Sequence, residues 1–364
     1  MFKIHKLKYF ELQDFFEKEK NNKFLPISLK RIQSYVTNPR RSEKFPVLYL
    51  GYINNEIVTY RSVFQDFFET FSKEIIPVIW ISGSWTNPAY RKKGYSRIIF
   101  DEVSKDYQQH IFISNYGNMS YSLYSKRLDL INYRFLNGQR FYYRFSLAEI
   151  LPTKFHGFNQ IKFLLKIMDK TGNLLIDLRN IFYLKKKVLP LEISEFNEEL
   201  NHFISKHNSN SLFKRNTDEF KWIFQYPWVT QKEKDDKLDE KYYFTTSAKY
   251  FYKKAYTLRK NNEIKGFLLY SIKNELMNIH YIFCESEAER LEFSKFIWNI
   301  VQKEKVSCLI MTDEKLIELM KKNKAYIYSK SWQKGFFVGK NLLEKYPEIQ
   351  EKEIYMGDGD TIFT

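Results

Sequence analysis

Residues 75–107 most constrain what this chain can fold into. An apolar run, Ile75 to Ile81, leads to Gly83. A basic turn follows, Asn87-Pro88-Ala89-Tyr90-Arg91-Lys92-Lys93-Gly94-Tyr95-Ser96-Arg97, and then a helical pattern marked by Ile98, Ile99 and Val103. Strand, tight loop and helix N-terminus therefore come in that order. The first turn of a helix has unpaired N–H groups at the positive end of its dipole, which together make an anion site. Gly94 tolerates positive φ and lets a ligand approach the backbone. Arg91, Lys92, Lys93 and Arg97 surround it with positive charge, which suits a pyrophosphate.

Arg91-Lys92-Lys93-Gly94-Tyr95-Ser96 resembles the acyl-CoA loop of the GNAT superfamily of N-acetyltransferases, whose pattern is Arg/Gln-x-x-Gly-x-Gly/Ala. Pro88-x-Tyr90 resembles the family's lead-in, and Ser96 departs from the family's Gly or Ala. The strand before the loop and the helix after it give the motif its context. The resemblance implies that Arg91 to Arg97 hold the CoA pyrophosphate. It also implies that the strand from Trp80 to Trp85, in particular Ser82, Gly83, Ser84 and Trp85, pairs with the pantetheine amides and offers an N–H to the thioester carbonyl.

Composition sets outer bounds. The chain has 364 residues, 44% hydrophobic and 18% aromatic, enough for two ordinary domains and too apolar for global disorder. With 12 glycines and 9 prolines there is no repeat or collagen-like composition. Cys284 and Cys308 are the only cysteines, with neither disulfide-framework nor metal spacing, so no metal is expected and a reducing cytoplasm fits. The N-terminus lacks the apolar core of a signal peptide, and no run is long enough for a transmembrane helix. The net charge of +16 is spread among scattered lysines, Lys185-Lys186-Lys187 being the longest pure run. That distribution fits compositional drift plus a polyphosphate cosubstrate better than a nucleic-acid groove.

The pattern along the chain predicts helices over Phe10–Lys18 and Ser28–Val36, and strands over Val47–Tyr52 and Ile57–Phe64 around a turn at Asn54-Asn55. A strand over Ile75–Ser84 and a helix over Ile98–Tyr107 follow. After them come a strand at Ile111–Ser114, a helix at Ser120–Leu130 and a closing strand at Phe141–Phe145. This succession is the GNAT order on a mixed sheet. From Leu151 to Lys187, two sets of apolar residues at helical spacing, Ile161 to Met168 and Leu174 to Phe182, predict connecting helices that pack as core across both halves. Lys162, Lys166 and Lys170 on their polar side keep a peripheral membrane contact open. The second half repeats the order: a helix at Phe196–Lys206, strands at Ala255–Arg259 and Ile264–Ile272 around Asn261-Asn262, and a strand at Asn278–Cys284. Phe213 to Trp222, closed by Tyr226-Pro227, and the tail Met356 to Thr364 resemble segments of tandem GNAT-like proteins, and the tail is expected to form a turn and a final strand. The fold class expected is α/β (α+β): two GNAT-like domains, each a mixed, mostly antiparallel twisted sheet flanked by helices. Their bounds are 1–148 for the acyl-CoA-binding catalytic domain, 149–188 for a helical linker, and 189–364 for a second domain with a degenerate CoA loop. In that second domain Glu285-Ser286-Glu287-Ala288-Glu289-Arg290 stands where the first has its basic loop; it lacks glycine and repels phosphate. The cleft between the halves is the expected acceptor pocket.

Leu123-Tyr124-Ser125-Lys126 resembles the family's Leu-Tyr-x-Lys segment, although Leu128-Asp129 replaces the usual Gly-Phe. By that resemblance Tyr124 protonates the departing CoA thiolate. The reaction also needs a base for the amine, and no acid lies on the 75–84 strand past Glu74. Asp66 and Glu69, just after the preceding strand, are candidates, as is the terminal carboxylate of Thr364, since some tandem relatives use theirs. No Ser/His/Asp or Cys/His constellation is apparent in the sequence.

These features imply an acyl-CoA-dependent N-acyltransferase, acetyl first among acyl groups, acting on a primary amine of a small molecule, sugar or lipid precursor. A Fem-type aminoacyltransferase using aminoacyl-tRNA, and a non-catalytic CoA-binding protein, are the alternatives.

Overall fold

The computed structural model describes residues 1–114, 124–126, 128, 130–182, 188–231, 237–323 and 325–364. Leu123, Asp129 and most of the helix expected at Ser120–Leu130 lie outside the described residues, as does Lys185-Lys186-Lys187. Two compact units interleave along the chain. The first comprises Met1–Leu136, Phe196–Lys249 and Lys334–Thr364; the second comprises Asn137–Glu195 and Tyr250–Gln333. The contiguous segments drawn from the sequence follow a different division, because 196–249 and 334–364 pack with the N-terminal residues.

In the first unit the chain forms β1 (Lys3–Leu7), α1 (Leu12–Glu19), α2 (Leu29–Val36), β2 (Leu48–Ile53), β3 (Glu56–Glu69), β4 (Ile75–Thr86), α3 (Tyr95–Asp106) and β5 (Ile111–Ile113). β1 to β4 pair antiparallel in sequence order, and β4 pairs parallel with β5 through the crossover α3. Asn54 and Asn55, with φ 48° and 65°, make the tight turn between β2 and β3 that the sequence predicts. α3 starts three residues earlier than expected, because Gly94 takes φ +85° and turns the chain directly into the helix.

The second unit repeats the plan. It holds the end of β6 (Leu130–Tyr142), α4 (Leu147–Lys154), α5 (Lys162–Phe182) and β7 (Leu191–Ile193). After the chain returns from the first unit it adds β10 to β13. Of these, β10 (Phe251–Lys260), β11 (Glu263–Lys273) and β12 (Leu276–Cys284) pair antiparallel, and α8 (Glu287–Lys303) crosses over to β13 (Cys308–Met311), parallel to β12. The short β8 (Val229–Gln231) and β9 (Thr246–Ala248) pair in the first unit, which also holds α6 (Glu198–His207) and α7 (Thr217–Gln225). α9 (Glu314–Lys322) follows β13.

One expectation about the sheets is corrected. The closing strand at Phe141–Phe145 does not complete the first unit. Gln139 to Tyr142 of β6 pair with β13 in the second, whereas β14 (Tyr328–Gly339) pairs with β5 in the first through Phe337↔Ile113 and Val338↔Phe112. The strand that closes each unit's pairing order is thus the one that follows the other unit's crossover in sequence. Local alternation fixes that a segment is a strand, but its partner is chosen by long-range register.

The first sheet is covered on both faces. On one, Tyr49, Val63, Ile79, Ile99, Phe100, Val103 and Tyr124 form a core under α3. On the other, Phe64 stacks with Trp222 and meets Trp228 and Phe363. Phe363 also lies flat on Trp228, ring centroids 4.8 Å apart, and this anchors the tail. The tail ends in a single 3-10 turn, Thr361–Phe363, rather than the final strand expected. The residues predicted as connecting core helices form one helix, α5, whose apolar side is largely exposed.

Candidate functional site

The site is built around β4. The β3–β4 register runs Val63↔Ile81 and then Ser62↔Gly83, so Ser82 is an extra residue on β4, a β-bulge. On the other edge of β4, β5 pairs only with Ile79 and Trp80. Beyond Trp80 no described strand covers that edge, which leaves backbone groups from Ile81 onward open to an extended ligand. Gly83 is required at the bulge: a Cβ there would meet the Tyr242 hydroxyl at 2.6 Å and the Ser62 hydroxyl at 2.7 Å. Ser84 and Trp85 continue the strand, with Trp85 stacked on Phe24 at 4.4 Å.

β4 leads into the basic loop and α3. Gly94 occupies the N-cap, no side chain caps the helix, and its first turn has no acidic residue. A Cβ at Gly94 would meet only the Arg97 guanidinium, at 3.8 Å, so the space above the N-terminus is open. Arg91, Lys92, Lys93 and Arg97 are exposed around it. Arg91 Nε donates to the Thr86 carbonyl at 3.3 Å, and Lys93 lies over the Tyr90 ring at 4.9 Å. Tyr95 stacks on Phe2 at 4.6 Å, which fixes the first turn against the sheet. The residues thus fit a pyrophosphate, with bare helical N–H groups, exposed cations and no competing cap.

Beneath that turn lies Arg61, on β3 opposite Ser84 and almost fully buried. Its Nη1 donates to the Tyr124 hydroxyl at 3.0 Å and its Nη2 to the Ser96 hydroxyl at 3.4 Å. The guanidinium also packs over the Phe100 ring at 4.9 Å. Its Nε has no hydrogen-bond partner, and no carboxylate among the described residues pairs with it. A buried cation balanced only by hydroxyls and rings is costly unless negative charge arrives nearby. Sequence reasoning did not find Arg61, since one arginine in an apolar strand gives no periodic signal.

On the opposite side of the bulge, Ser82 Oγ accepts from Arg31 Nη1 at 2.7 Å and donates to Asp360 Oδ2 at 2.8 Å. Arg31, on α2, is held between Trp228 and Tyr242 at 3.9 and 5.1 Å. The tail reaches Ser82 because Gly359 takes φ +75° against Trp80, where a Cβ would meet the indole at 2.8 Å. Asp360 is half-buried. Its carboxyl is pushed above the usual range by burial, which outweighs the opposing pull of Arg31, Ser82 and Lys334. Lys334, whose ammonium is lowered to about 8 by burial, donates to the Met356 carbonyl at 3.3 Å and the Thr361 hydroxyl at 2.9 Å and so pins the same turn. The alternation of glycine with aspartate in the tail thus serves close packing, and no His/Cys/Asp/Glu cluster suited to a metal exists among the described residues.

Asp66 and Glu69, two of the acids expected from the sequence, lie farther along β3. Asp66 is four residues along β3 from Ser62, about 13 Å at strand rise. It is buried and held by Arg40 at 2.8 Å, Arg215 at 2.7 Å and Trp80 Nε1 at 3.2 Å. Burial raises its carboxyl, but Arg215 and Arg40 together hold it below the ordinary value. Such a carboxylate is a poor proton acceptor and a strong structural tie. Arg215 belongs to the Phe213–Trp222 segment, where Asn216 and Glu219 form a capping box on α7 and Glu219 also pairs with Arg40. Glu69 is a further three residues on, about 23 Å from the bulge, paired with Lys214 at 3.5 Å. Thr364 is half-buried, its hydroxyl donating to the Thr361 carbonyl at 3.3 Å.

No family model and no curated protein matches the chain. Solved structures do match. One is a probable N-acyltransferase from Enterococcus faecalis V583, at 12% identity and TM-score 0.54, covering 93% of this chain and 73% of that one. Another is Saccharomyces cerevisiae N-myristoyltransferase with bound myristoyl-CoA, at 9% identity and TM-score 0.52, covering 93% of this chain and 82% of that one. At these identities the likeness establishes the fold. With the bulged β4, the crossover α3 and their repetition as β12 and α8, this chain has the GNAT fold over most of its length, in the tandem form of N-myristoyltransferase.

Proposed function

We propose that this protein is an acyl-CoA-dependent N-acyltransferase that moves an acyl group, acetyl in the simplest case, from the CoA thioester directly to a primary amine of a small molecule, sugar or lipid precursor. The observation that carries this reading is the β4 bulge at Ser82. Three groups that acyl transfer requires converge on its neighbours: the bare N-terminus of α3, the Tyr124 hydroxyl tied to Arg61 opposite Ser84, and the Asp360 carboxyl bonded to Ser82.

Acyl-CoA supplies the activated acyl group. The N–H groups of Gly94, Tyr95 and Ser96, with Arg91, Lys92, Lys93 and Arg97, hold its pyrophosphate. The open edge of β4 from Ile81 to Trp85 pairs with its extended arm. A backbone N–H at the bulge polarises the thioester carbonyl and stabilises the oxyanion formed on attack. Asp360 takes one proton from the acceptor ammonium, which frees the amine lone pair to attack the carbonyl carbon. When the C–S bond breaks, Tyr124 gives its hydroxyl proton to the departing sulfur. Arg61 stabilises the phenolate left behind, which recovers a proton when the nitrogen of the collapsing intermediate gives up its second one. Asp360 is preferred to Asp66, Glu69 and Thr364 as the proposed base because its carboxyl is hydrogen-bonded to Ser82 at the bulge, and its proton affinity is raised where that of Asp66 is lowered. The second unit takes no CoA and shapes acceptor choice, and a reducing cytoplasm suits the two free cysteines.

Calorimetric titration with CoA, followed by thiol release from acetyl-CoA in the presence of a panel of amines, tests the reading. Saturable binding and amine-dependent thiol release are expected. Absence of CoA binding would overturn it, and binding without turnover of any amine would favour a CoA-holding protein instead.

A further inference from the structure

We propose that α5 is a peripheral membrane anchor that seats the second unit on an anionic bilayer surface. The helix runs 21 residues, Lys162–Phe182, about 30 Å long. Leu164, Ile167, Met168, Leu174, Leu175 and Leu178 recur at i, i+3, i+4 and i+7, and each is roughly half exposed or more. Phe163 at the N-terminal end is 77% exposed. The opposite side does the packing, through buried Leu165 and Ile176. The apolar stripe is therefore additional to the face that docks α5 on its own unit.

Charge identifies what covers it. Both carboxylates of α5 are turned inward: Asp169 accepts from the N–H groups of Leu147 and Ala148 at 2.8 and 2.9 Å, and Asp177 is bound by Arg144 at 2.5 Å. Lys166 and Lys170 stand exposed along one rim of the stripe, while Lys162, one turn earlier, is 4.0 Å from Glu149. The outward face thus offers large apolar side chains and ammonium groups with no carboxylate of its own. A folded protein partner would need matching acids at fixed positions. A layer of anionic headgroups over acyl chains satisfies both properties without register. No helix among the described residues is long and apolar enough to cross a membrane, so the helix would lie in the surface.

The test is co-sedimentation of the full chain with vesicles of phosphatidylcholine and phosphatidylglycerol in equal parts, and with vesicles of phosphatidylcholine alone. Stronger partition to the anionic vesicles is expected, falling with added salt. Lys166→Glu with Lys170→Glu should lower partition to the anionic vesicles at least about tenfold. Leu164→Glu with Leu175→Glu should abolish binding to both, with an unchanged thermal transition as the check on folding. Lys166→Gln with Lys170→Gln, a milder pair, should give an intermediate loss if charge is the cause. No binding to either vesicle, or binding indifferent to all three pairs, would overturn the proposal. So would a dimer dispersed by Leu164→Glu with Leu175→Glu, since a second copy would then cover the stripe.

Discussion

Arg61 Nη1 donates to the Tyr124 hydroxyl oxygen over 3.0 Å, inside the core under α3. Because the oxygen accepts this bond, its own proton is left to point elsewhere. That geometry leaves the hydroxyl proton free to be given to an acceptor outside the pair.

Tyr124→Phe removes the hydroxyl and little volume. Turnover should fall roughly ten- to a thousand-fold, with CoA affinity nearly unchanged. Arg61→Gln should cause a comparable loss while leaving the phenol in place. Both losses should shrink with an aryl thioester, whose thiolate leaves without help from an acid. Equal losses with alkyl and aryl thioesters would assign the pair a packing role only.

Asp360 is the group whose ionisation should set the acidic limb of the rate profile. Its carboxyl must be ionised to act, and its folded value lies above 3.8. Amine acylation should therefore fall as pH drops through that raised value, and Asp360→Asn should lower kcat about a hundred- to ten-thousand-fold and remove the limb. Linkage runs the other way. A raised folded pKa means that this group favours the native state at pH below 3.8 and ceases to do so as pH rises through the folded value. Asp360→Asn should thus leave stability at neutral pH unchanged or higher. An unchanged rate profile would remove Asp360 from the mechanism.

Asp66 behaves oppositely. Its folded pKa is lowered by Arg215 and Arg40 against the effect of burial, so its contribution is fully present above 3.8 and is lost as pH falls through the folded value. Asp66→Asn leaves two buried guanidinium groups underpaired and should cost about 3–5 kcal/mol in denaturant unfolding at neutral pH. A cost under about 1 kcal/mol, with acid unfolding as in the parent, would mean that these ion pairs contribute little net stability.

Much of the fold was legible because it rests on local signals. The turns at Asn54-Asn55 and Asn261-Asn262, the strand Ile75–Ser84 and the basic loop at Gly94 were readable from spacing and turn chemistry alone. The strand partners were not, because β6 and β14 each read as a strand whichever sheet they join. The base proposed here was not legible in the sequence for a related reason. Asp66 is near β4 in sequence and far from the bulge in space, whereas Asp360 is 278 residues from Ser82 and hydrogen-bonded to it. Two glycines and an aromatic anchor, Phe363, decide that contact, and no periodicity encodes it. The stripe on α5 was legible as a pattern, but an exposed stripe and a core stripe have the same period.

Gly94 should be indispensable to CoA binding. With φ +85° and open space above it, any side chain is strained, and a carboxylate there would face the phosphates. Gly94→Asp should abolish CoA binding in calorimetry with the thermal transition shifted only slightly. Affinity within about a factor of ten of the parent would place the pyrophosphate elsewhere.

The two crossover helices predict the stoichiometry. α3 begins at a bare Gly94, with cations around it and no acid in its first turn. α8 begins at Ser286, whose hydroxyl already accepts from the Ala288 N–H, and its first turn holds Glu287 and Glu289. The same element thus presents an open anion site in one unit and a filled, negative one in the other. One CoA per chain should bind, and Gly94→Asp should reduce that number to zero rather than by half. The pair Glu287→Lys and Glu289→Lys should not create a second site while the Ser286 hydroxyl still fills the cap and no glycine admits the phosphate. Saturation at two CoA per chain, or residual binding of one in Gly94→Asp, would mean that α8 holds a cosubstrate after all, and the charge at its N-terminus would not be what separates the two units.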